Sequence, residues 1–364
     1  MTLTAGFLGY RFMGKAHANA LARLPMFFPD VPDIERSVLV GRTRDAVETA
    51  ADRLGFDRVE TDWEDALDDI DILYNLGPNH VHVEPTVRAL EEDIHVFCEK
   101  PLAPSIDGAQ KMVTAARGSD ALAGVAFNYR YVPALQLAKR MLDDGEFGEI
   151  RRVRGQYLQD WQADPDDDWV WRNDADSAGT GALGDQGSHT LDLAQWLVGD
   201  IDRVTGHLET FITERTTDDG DTRPVTTEDE YSALAEFENG AMGVFEASRV
   251  APGHKGNNDI EVYGSEGGFR FSLERLNELE VCTADGEGFE RILVTEDDHP
   301  YMDAWWPAGH IIGWEHTFVH ENYEFLSAID AGESYEPDFE TGLGIQRLVD
   351  AIERSHETSS WVTP

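Results

Sequence analysis

The sequence predicts an α/β protein with two domains, a doubly wound parallel Rossmann sheet over residues 1–128 and an α+β domain over 129–364 with a large, open, mostly antiparallel sheet. In the first part, short apolar runs alternate with helical patterns, which is typical of parallel strands joined by right-handed crossovers. In the second part, longer segments show apolar and polar residues in alternation, and these segments are separated by turn residues. A chain of 364 residues is long enough for both cores.

The predicted elements of the first domain follow one another in strict alternation. The run "LTAGFLG" predicts a buried strand, and apolar residues from 13 to 24 then recur at helical spacing. Four further strands are predicted from "RSVLVG", "DILYNLG", "HVFCEK" and "ALAGVAFNY", with single helices between them. Ser105 is the expected N-cap of the helix that ends near Arg117. We therefore expect a sheet of five parallel strands.

The second domain is predicted from a different pattern. A helix over 132–144, a strand through "RRVRGQYLQDW" and a helix near 185–198 precede several long strands, two of them joined by a hairpin turn at Asn239-Gly240. Helices near 311–331 and 341–356 complete the chain. Ligands of parallel sheets bind beyond the carboxyl ends of the strands, so we expect the site between the two domains.

The charge of the chain limits its partners. Seventy-one acidic against 29 basic residues give a formal net charge of −42, which repels nucleic acid and anionic membranes. Only five of the basic residues are lysines. We interpret this as adaptation to high salt, because the acids are scattered and do not form an acidic interaction tail.

The chain carries no sign of export or membrane insertion. No apolar run approaches the roughly 20 residues of a membrane span, and no signal-like segment precedes the first strand. Two cysteines, Cys98 and Cys282, form no disulfide framework. We expect a soluble cytoplasmic protein.

The loop "LGYRFMG" is typical of a dinucleotide-binding turn. Gly9 permits a tight turn after the strand, and Gly14 permits close packing of helix on sheet. Arg11 replaces the middle glycine, and its guanidinium could cover a phosphate or reach the substrate. The predicted cofactor contacts of this loop are Gly9, Arg11, Phe12, Met13 and Gly14. A strand–turn–helix that binds no ligand is the alternative.

The end of the second strand bears on the choice of cofactor. NAD-binding folds place an acid there for the ribose 2′-hydroxyl, but this chain has Gly41 followed by Arg42, Thr43 and Arg44. Two arginines and a hydroxyl suit a 2′-phosphate, so we favour NADP over NAD. The alternative is that these residues are solvated and simply open a helix.

Two further motifs carry ionisable groups. "CEKPLA" places Glu99 and Lys100 at the end of the fourth predicted strand, where a nicotinamide would lie. In "GDQGSHTLD", Asp185 and His189 are four residues apart and so share a helix face, with Asp192 three residues further on. Taken singly, an N-cap aspartate, an interface histidine and a solvated lysine are the ordinary interpretations, but their combination favours catalysis.

These motifs resemble the Gfo/Idh/MocA family of oxidoreductases, which contains glucose–fructose oxidoreductase and inositol dehydrogenases. The resemblance covers nearly the whole chain and includes "GFLGYRFMGKAHANAL", "GPNHVHVE", "EKP", "NYRYVP" and the DxGxHxxD pattern. The stretches "YLQDW" and "HPYMDAWWPAGHIIGWEHTF" resemble the branch that includes levoglucosan dehydrogenase. Arg11 departs from the family's glycine loop.

The resemblance implies roles for the matching residues. Lys100 corresponds to the lysine that contacts both substrate hydroxyl and nicotinamide ribose, Asp185 to the substrate-binding acid, and His189 to the proton-transferring histidine. The implied cofactor-side residues are Pro78, Asn79, His82 and Glu99. In physical terms, oxidation of a secondary alcohol needs a base for the hydroxyl proton and a donor for the developing alkoxide, which His189 and Lys100 would supply.

Other expectations concern substrate, metal and assembly. Residues on predicted loops that suit a sugar ring are Tyr10, Arg11, Asn128, Arg130, Asp160, Trp161, Arg172, Trp306 and His310. His17 is expected in the core, and no histidine has metal-ligand spacing. We expect an NAD(P)-dependent sugar or polyol dehydrogenase without a metal, assembled as a homodimer or homotetramer. An NAD-dependent glycosidase that oxidises its substrate transiently, or a non-catalytic sugar or nucleotide sensor, is the alternative.

Overall fold

The computed structural model describes residues 2–364 and divides into two compact units. The first unit comprises the described residues up to Asn128 together with Gly313–Leu343, and the second comprises Tyr129–Ile312 and Gly344–Pro364. No helix within residues 2–364 is both long and apolar enough to cross a membrane. The same residues contain no group of three or more histidine, cysteine or acidic side chains arranged to hold a metal ion.

The described residues form sixteen strands and ten α-helices, together with short 3-10 and π-helical segments. The strands are β1 (Thr2–Leu8), β2 (Asp33–Val40), β3 (Arg58–Glu60), β4 (Ile72–Asn75), β5 (His95–Cys98), β6 (Ala123–Val125), β7 (Ile150–Leu158), β8 (Ile201–Glu209), β9 (Glu214–Thr216), β10 (Thr222–Pro224), β11 (Glu230–Phe237), β12 (Met242–Ser248), β13 (Asn257–Gly264), β14 (Gly268–Ser272), β15 (Glu278–Cys282) and β16 (Glu290–Leu293). The helices are α1 (Phe12–Phe27), α2 (Arg44–Leu54), α3 (Glu64–Leu67), α4 (Val83–Glu91), α5 (Ile106–Arg117), α6 (Pro133–Asp143), α7 (Ala175–Ala178), α8 (Ser188–Val198), α9 (Glu315–Ala331) and α10 (Phe339–Thr358).

The sheet of the first unit confirms the predicted parallel fold. Its strands lie in the order β3-β2-β1-β4-β5-β6, and every neighbouring pair is parallel. The sheet has six strands rather than the expected five, because the three-residue β3 is too short for a hydrophobic period. Ser105 is confirmed as the N-cap of α5, since its side chain accepts a hydrogen bond from Gly108 N.

Aromatic side chains fill the core of the first unit. The ring of Tyr74 lies 4.7 Å from that of Phe7 and 5.7 Å from that of Phe97, and Phe325 of α9 lies 4.8 Å from Phe97. All four rings are fully buried, and burying each contributes about 1.5–3 kcal/mol. This packing fixes α9 against β4 and β5, the strands that precede the "GPNH" and "EKP" segments.

The second unit is built on an eight-stranded sheet. Its order is β16-β15-β14-β13-β7-β12-β11-β8, and only the β7–β12 pair is parallel. The hairpin turn at Asn239-Gly240 is confirmed, with Gly240 at a φ of +88°. A separate antiparallel pair joins β9 and β10. The predicted α+β class with a mostly antiparallel sheet is therefore confirmed.

Candidate active site

The glycine loop after β1 leaves no room for side chains at two positions. Gly9 has a φ of +115°, and a Cβ there would lie 2.7 Å from Leu76 O. A Cβ at Gly14 would lie 2.4 Å from Gly9 O. Arg11 is the exposed N-cap residue of α1, and the first turn of that helix contains no acid. The positive end of α1 is thus open to an anion.

The two residues that follow Arg11 differ in exposure. Phe12 is 66% exposed, and its ring stacks on that of Trp314 at 5.4 Å between centroids. Met13 is half-buried. The loop therefore presents an arginine and an aromatic face, instead of bare backbone, at the start of α1.

Tyr10 packs on the end of β2. A Cβ at Gly41 would lie 2.3 Å from Cε1 of Tyr10, so the ring lies directly over the glycine. This position after β2 is where dinucleotide-binding folds commonly carry an acid. Tyr10 was expected among the substrate contacts, and in the structure its ring packs against Gly41, directly after β2.

The arginines after β2 are not equivalent. Arg44 lies 3.6 Å from Glu48 and 3.9 Å from Glu60 of β3. Arg42 is exposed and forms no ion pair with any residue of 2–364. Thr43 is the exposed N-cap residue of α2, without a side-chain capping bond. Among the described residues, Arg44 therefore has carboxylate partners and Arg42 has none.

The turn after β4 is braced from behind by His82. Its Nε2 lies 2.9 Å from Gly77 O, and its Nδ1 lies 3.1 Å from Pro101 O. The ring has no exposed surface, and this burial lowers the pKa of His82, although the carbonyl contacts oppose that shift. His82 therefore ties the "GPNH" turn to the "EKP" turn and has no surface for direct contact with a cofactor. Pro78 is half-buried and Asn79 is buried on the same turn.

Glu99 and Lys100 lie where β5 ends. Glu99 is 6% exposed, with Oε1 at 3.2 Å from His17 Nε2 and Oε2 at 3.3 Å from Lys100 N. Lys100 is half-buried. Asn128 is buried, and its amide donates to Thr317 Oγ1 at 2.8 Å, so this expected substrate contact holds α9 within the first unit.

In the second unit, Asp185 lies on a wide helical turn that leads into α8, and His189 lies in the first turn of α8. Residues Leu183–Gly187 form a π-helical segment, and α8 begins at Ser188. The buried Glu228 caps this turn, because its carboxylate accepts hydrogen bonds from Gly181 N and Leu183 N, both at 2.8 Å. The expected regular helix over 185–198 is therefore a π turn followed by an α-helix.

Two arginines flank Asp185. Arg249 Nη2 lies 3.1 Å and Arg172 Nε 3.4 Å from Asp185 Oδ2. Arg249 is 1% exposed and also donates to Arg172 O at 3.3 Å. The Trp161 ring, 39% exposed, lies 5.6 Å from the Arg249 guanidinium. This arrangement places the Asp185 carboxylate between two guanidinium groups and next to an accessible aromatic face.

His189 is packed between tyrosines. Its ring is 4.6 Å from that of Tyr129 and 6.1 Å from that of Tyr157, and the two hydroxyls lie 3.0 Å apart. Burial raises the pKa of Tyr157 well above its usual range, with Tyr129 and the charge of Asp185 adding to the shift. The imidazole is therefore held in a fixed orientation by two tyrosine rings.

Of the remaining predicted substrate contacts, some form ion pairs with other side chains and others are exposed. Arg130 is buried, and Asp192 accepts its hydrogen bonds at 2.9 and 2.7 Å, so this pair is structural. Asp160 pairs with Lys255 at 2.5 Å, and this partner lowers the pKa of Asp160. Trp306 is 49% exposed, and the exposed His310 contacts Pro307 O at 2.6 Å.

Sequence reasoning missed four residues of this site. These are Tyr129, Tyr157, Glu228 and Arg249. The sequence signal for Arg249 is its place directly after the apolar strand "GVFEAS", where a charge needs a partner. The tyrosines and Glu228 carry no local pattern that separates them from ordinary strand residues.

Comparison with known proteins identifies the family. Residues 3–127 match the oxidoreductase family with an NAD-binding Rossmann fold, and residues 135–270 match the GFO/IDH/MocA C-terminal domain. The chain is 38% identical to levoglucosan dehydrogenase of Pseudarthrobacter phenanthrenivorans over 99% of its own length and 97% of that protein.

Solved structures agree with this assignment. A levoglucosan dehydrogenase in complex with NADH and levoglucosan superposes with a TM-score of 0.97 at 38% identity, over 100% of both chains. An oxidoreductase domain protein from Kribbella flavida has a TM-score of 0.96 at 44% identity, again over 100% of both chains. The chain therefore belongs to the Gfo/Idh/MocA family of oxidoreductases and is an oxidoreductase with an NAD-binding Rossmann fold.

Proposed function

We propose that the protein oxidises a ring secondary alcohol of a sugar, anhydrosugar or polyol to a ketone, with a nicotinamide cofactor, and catalyses the reverse reduction. One observation carries the proposal. Lys100, Asp185 and His189 are all present in a chain that is similar over its full length to a levoglucosan dehydrogenase. A binding protein without catalysis has no use for a proton acceptor such as His189.

The first unit fits a dinucleotide. Gly9 and Gly14 allow the tight turn and the close helix–sheet packing of a dinucleotide-binding loop, and α1 offers an N-terminus without acids. Pro78, Asn79 and Glu99 would hold the nicotinamide riboside, with Arg11 and Phe12 over the phosphates. When bound, the nicotinamide supplies the two-electron acceptor that alcohol oxidation requires.

The residues of the chain provide the proton chemistry. His189 takes the proton of the reacting hydroxyl, and its tyrosine neighbours hold the imidazole in place. The Lys100 ammonium donates to the reacting oxygen and stabilises the developing alkoxide. Asp185, which lies between two arginines, accepts a hydrogen bond from a second substrate hydroxyl.

A sugar fits the accessible side chains of the second unit. Trp161 and Trp306 present exposed aromatic faces, and Asp160, Arg172 and His310 add polar groups that suit ring hydroxyls. Arg11 of the first unit remains a candidate. We leave Tyr10, Asn128 and Arg130 out of the substrate set, because each already contacts another residue. The Tyr10 ring packs on Gly41, the Asn128 amide donates to Thr317, and the Arg130 guanidinium donates to Asp192. Structures of levoglucosan dehydrogenase have been solved in complex with NADH and levoglucosan and in complex with NADH and L-sorbose. An anhydrosugar is therefore the first substrate class to test.

The preference for NADP stays a prediction, and it now depends on Arg42 and Thr43. Arg44 already lies near the carboxylates of Glu48 and Glu60, which compete with a 2′-phosphate for its guanidinium. If a 2′-phosphate is bound here, Arg42→Ala should raise the KM for NADP about tenfold, as loss of one charge-assisted contact predicts, and leave the KM for NAD unchanged. A wild-type protein that prefers NAD would show that the prediction is wrong.

The direct test is reduction of NAD and NADP with a panel of anhydrosugars, sugars and inositols, at low salt and in molar salt. Reduction with one compound that is lost in Lys100→Ala, but retained in the control variant Lys111→Ala at an exposed position of α5, supports the dehydrogenase. Turnover of a glycoside without net reduction would favour a glycosidase. Tight nucleotide binding without any turnover would favour a sensor. Higher activity in molar salt would support the predicted salt adaptation.

We also propose a homodimer or homotetramer assembled through the eight-stranded sheet. Leu234 of β11 and Met242 of β12 are 43% and 45% exposed on adjacent strands of this sheet, where an apolar contact would stabilise association. Light scattering of the wild-type protein and of Leu234→Glu is the test. A monomeric wild-type protein would contradict the proposal.

A further inference from the structure

A chain of hydrogen-bonded side chains runs through the core of the first unit and ends at Glu99. Tyr74 Oη donates to Asn322 Oδ1 at 2.8 Å, and Asn322 Nδ2 lies 3.2 Å from His17 Nδ1. His17 Nε2 then lies 3.2 Å from Glu99 Oε1. Tyr74, Asn322 and His17 have no exposed surface. Sequence analysis assigned His17 to the core, but its ring nitrogens are both engaged.

The direction of every bond in this chain is determined by one backbone carbonyl. Asn322 Nδ2 also donates to Phe318 O at 2.7 Å, and because a carbonyl oxygen only accepts, the amide cannot be reversed. Its second N–H therefore points at His17 Nδ1, which must act as an acceptor. The ring proton is left on Nε2, where it is donated to Glu99. His17 is thus a neutral imidazole that donates to a carboxylate.

A second buried acid leaves the negative charge on Glu99. Glu321 Oε1 lies 3.9 Å from His17 Nε2, and neither Glu321 oxygen has a hydrogen-bond partner within residues 2–364. Burial raises the pKa of Glu321 well above its usual range, and the charge of Glu99 raises it further. Two carboxyl groups near one imidazole cannot both ionise cheaply. The neutral one is Glu321.

We propose that His17 and Asn322 are positioning residues that hold Glu99 as an oriented carboxylate, ready to accept hydrogen bonds from the hydroxyls of the nicotinamide riboside. This inference rests on the proposed function. Glu99 follows β5 at the carboxyl edge of the parallel sheet, which is where ligands of this fold bind. Without the Nε2–H donor, the buried Glu99 carboxylate would lose a charge-assisted bond and rotate or take up a proton.

The test measures NADH binding by nicotinamide fluorescence, without sugar, in three variants. His17→Phe keeps a ring among Tyr74, Phe97 and Phe318 but removes both nitrogens. We expect its Kd for NADH to rise about tenfold, equivalent to about 1.4 kcal/mol. His17→Gln restores a donor and should recover most of the affinity. His95→Asn, at the opposite end of β5, is the matched control and should bind as the wild type does.

The outcomes separate this inference from the proposed function. A folded His17→Phe that binds NADH as the wild type does overturns the positioning role, even if the wild type oxidises sugars. A wild-type protein that binds no NADH overturns both. If His17→Phe does not fold, ¹⁵N spectra of the wild-type histidines decide. A neutral His17 with its proton on Nε2 is expected, and a proton on Nδ1 would overturn the inference.

Discussion

Replacing Glu228 by glutamine tests how the turn that carries Asp185 is held. The Glu228 carboxylate accepts from Gly181 N and Leu183 N at 2.8 Å, and its side chain is nearly fully buried. Burial raises the pKa of Glu228, while these two N–H groups oppose that shift. A glutamine of the same size keeps one acceptor and turns its NH₂ towards the other backbone N–H, which leaves a buried donor without an acceptor.

The expected loss follows from that one unpaired donor. A buried polar group without a partner costs about 1–3 kcal/mol, and the free energy of unfolding of Glu228→Gln should fall by that amount in urea titrations. The turn would also shift relative to α8, so we expect kcat/KM for the sugar to fall about tenfold. The Kd for NADH should stay at the wild-type value.

A matched control lies on the strand that follows. Glu236 of β11 pairs with Arg203 at 2.6 Å on the surface, and exposed pairs contribute only about 0–1 kcal/mol. Glu236→Gln should therefore leave stability and activity nearly unchanged. If Glu228→Gln costs no more than Glu236→Gln, the two hydrogen bonds do not hold the turn and the reasoning is refuted.

Three further changes have expected outcomes. Burial and neighbouring carboxylates raise the pKa of Glu353 to about 7. The folded protein therefore binds this proton more tightly than the unfolded chain does. As a result, Glu353 lowers the free energy of unfolding by an amount that grows as the pH rises from 4.5 to about 7. Glu353→Gln should thus raise the melting temperature more at about pH 8 than at about pH 5, and equal shifts would contradict the burial argument. Gly41→Ala should cost about 1–3 kcal/mol of stability by displacing the Tyr10 ring, and much less when combined with Tyr10→Ala; additive losses would show that the two residues are independent. Arg249→Gln removes a buried partner of Asp185 and should raise the sugar KM about tenfold with unchanged NADH affinity, whereas an unchanged KM would show that Arg249 does not position Asp185 for the substrate.

Much of the fold could be predicted from the sequence because its patterns are local. The parallel order of the first sheet follows from strands separated by single helices, and Ser105 and Asn239-Gly240 have the chemistry of a cap and of a hairpin turn. The strand β3 was missed because three half-buried residues carry no period. The place of residues 313–343 in the first unit depends on packing against distant strands, which no local pattern contains.

The sequence predicted the site residues that belong to short motifs, but not the residues that hold them in place. Asp185, His189 and Lys100 belong to short patterns that can be read from the chain, but their supports come from distant segments. Arg249 approaches Asp185 from 64 residues away, and Asn322 reaches His17 from 305 residues away. His82 shows the opposite error, because a motif suggested a ligand contact and the fold uses the ring as an internal brace.

The central claim is that a ring alcohol loses its carbon-bound hydrogen to the nicotinamide. The most direct measurement uses an anhydrosugar deuterated at its ring carbinol positions and follows the label in the nucleotide by mass spectrometry. We expect one deuterium in each reduced nicotinamide and one ketone for each sugar consumed, and His189→Asn should abolish both. Consumption of the sugar without labelled nucleotide, or no consumption of any sugar or polyol by a protein that binds NADH, would contradict the account.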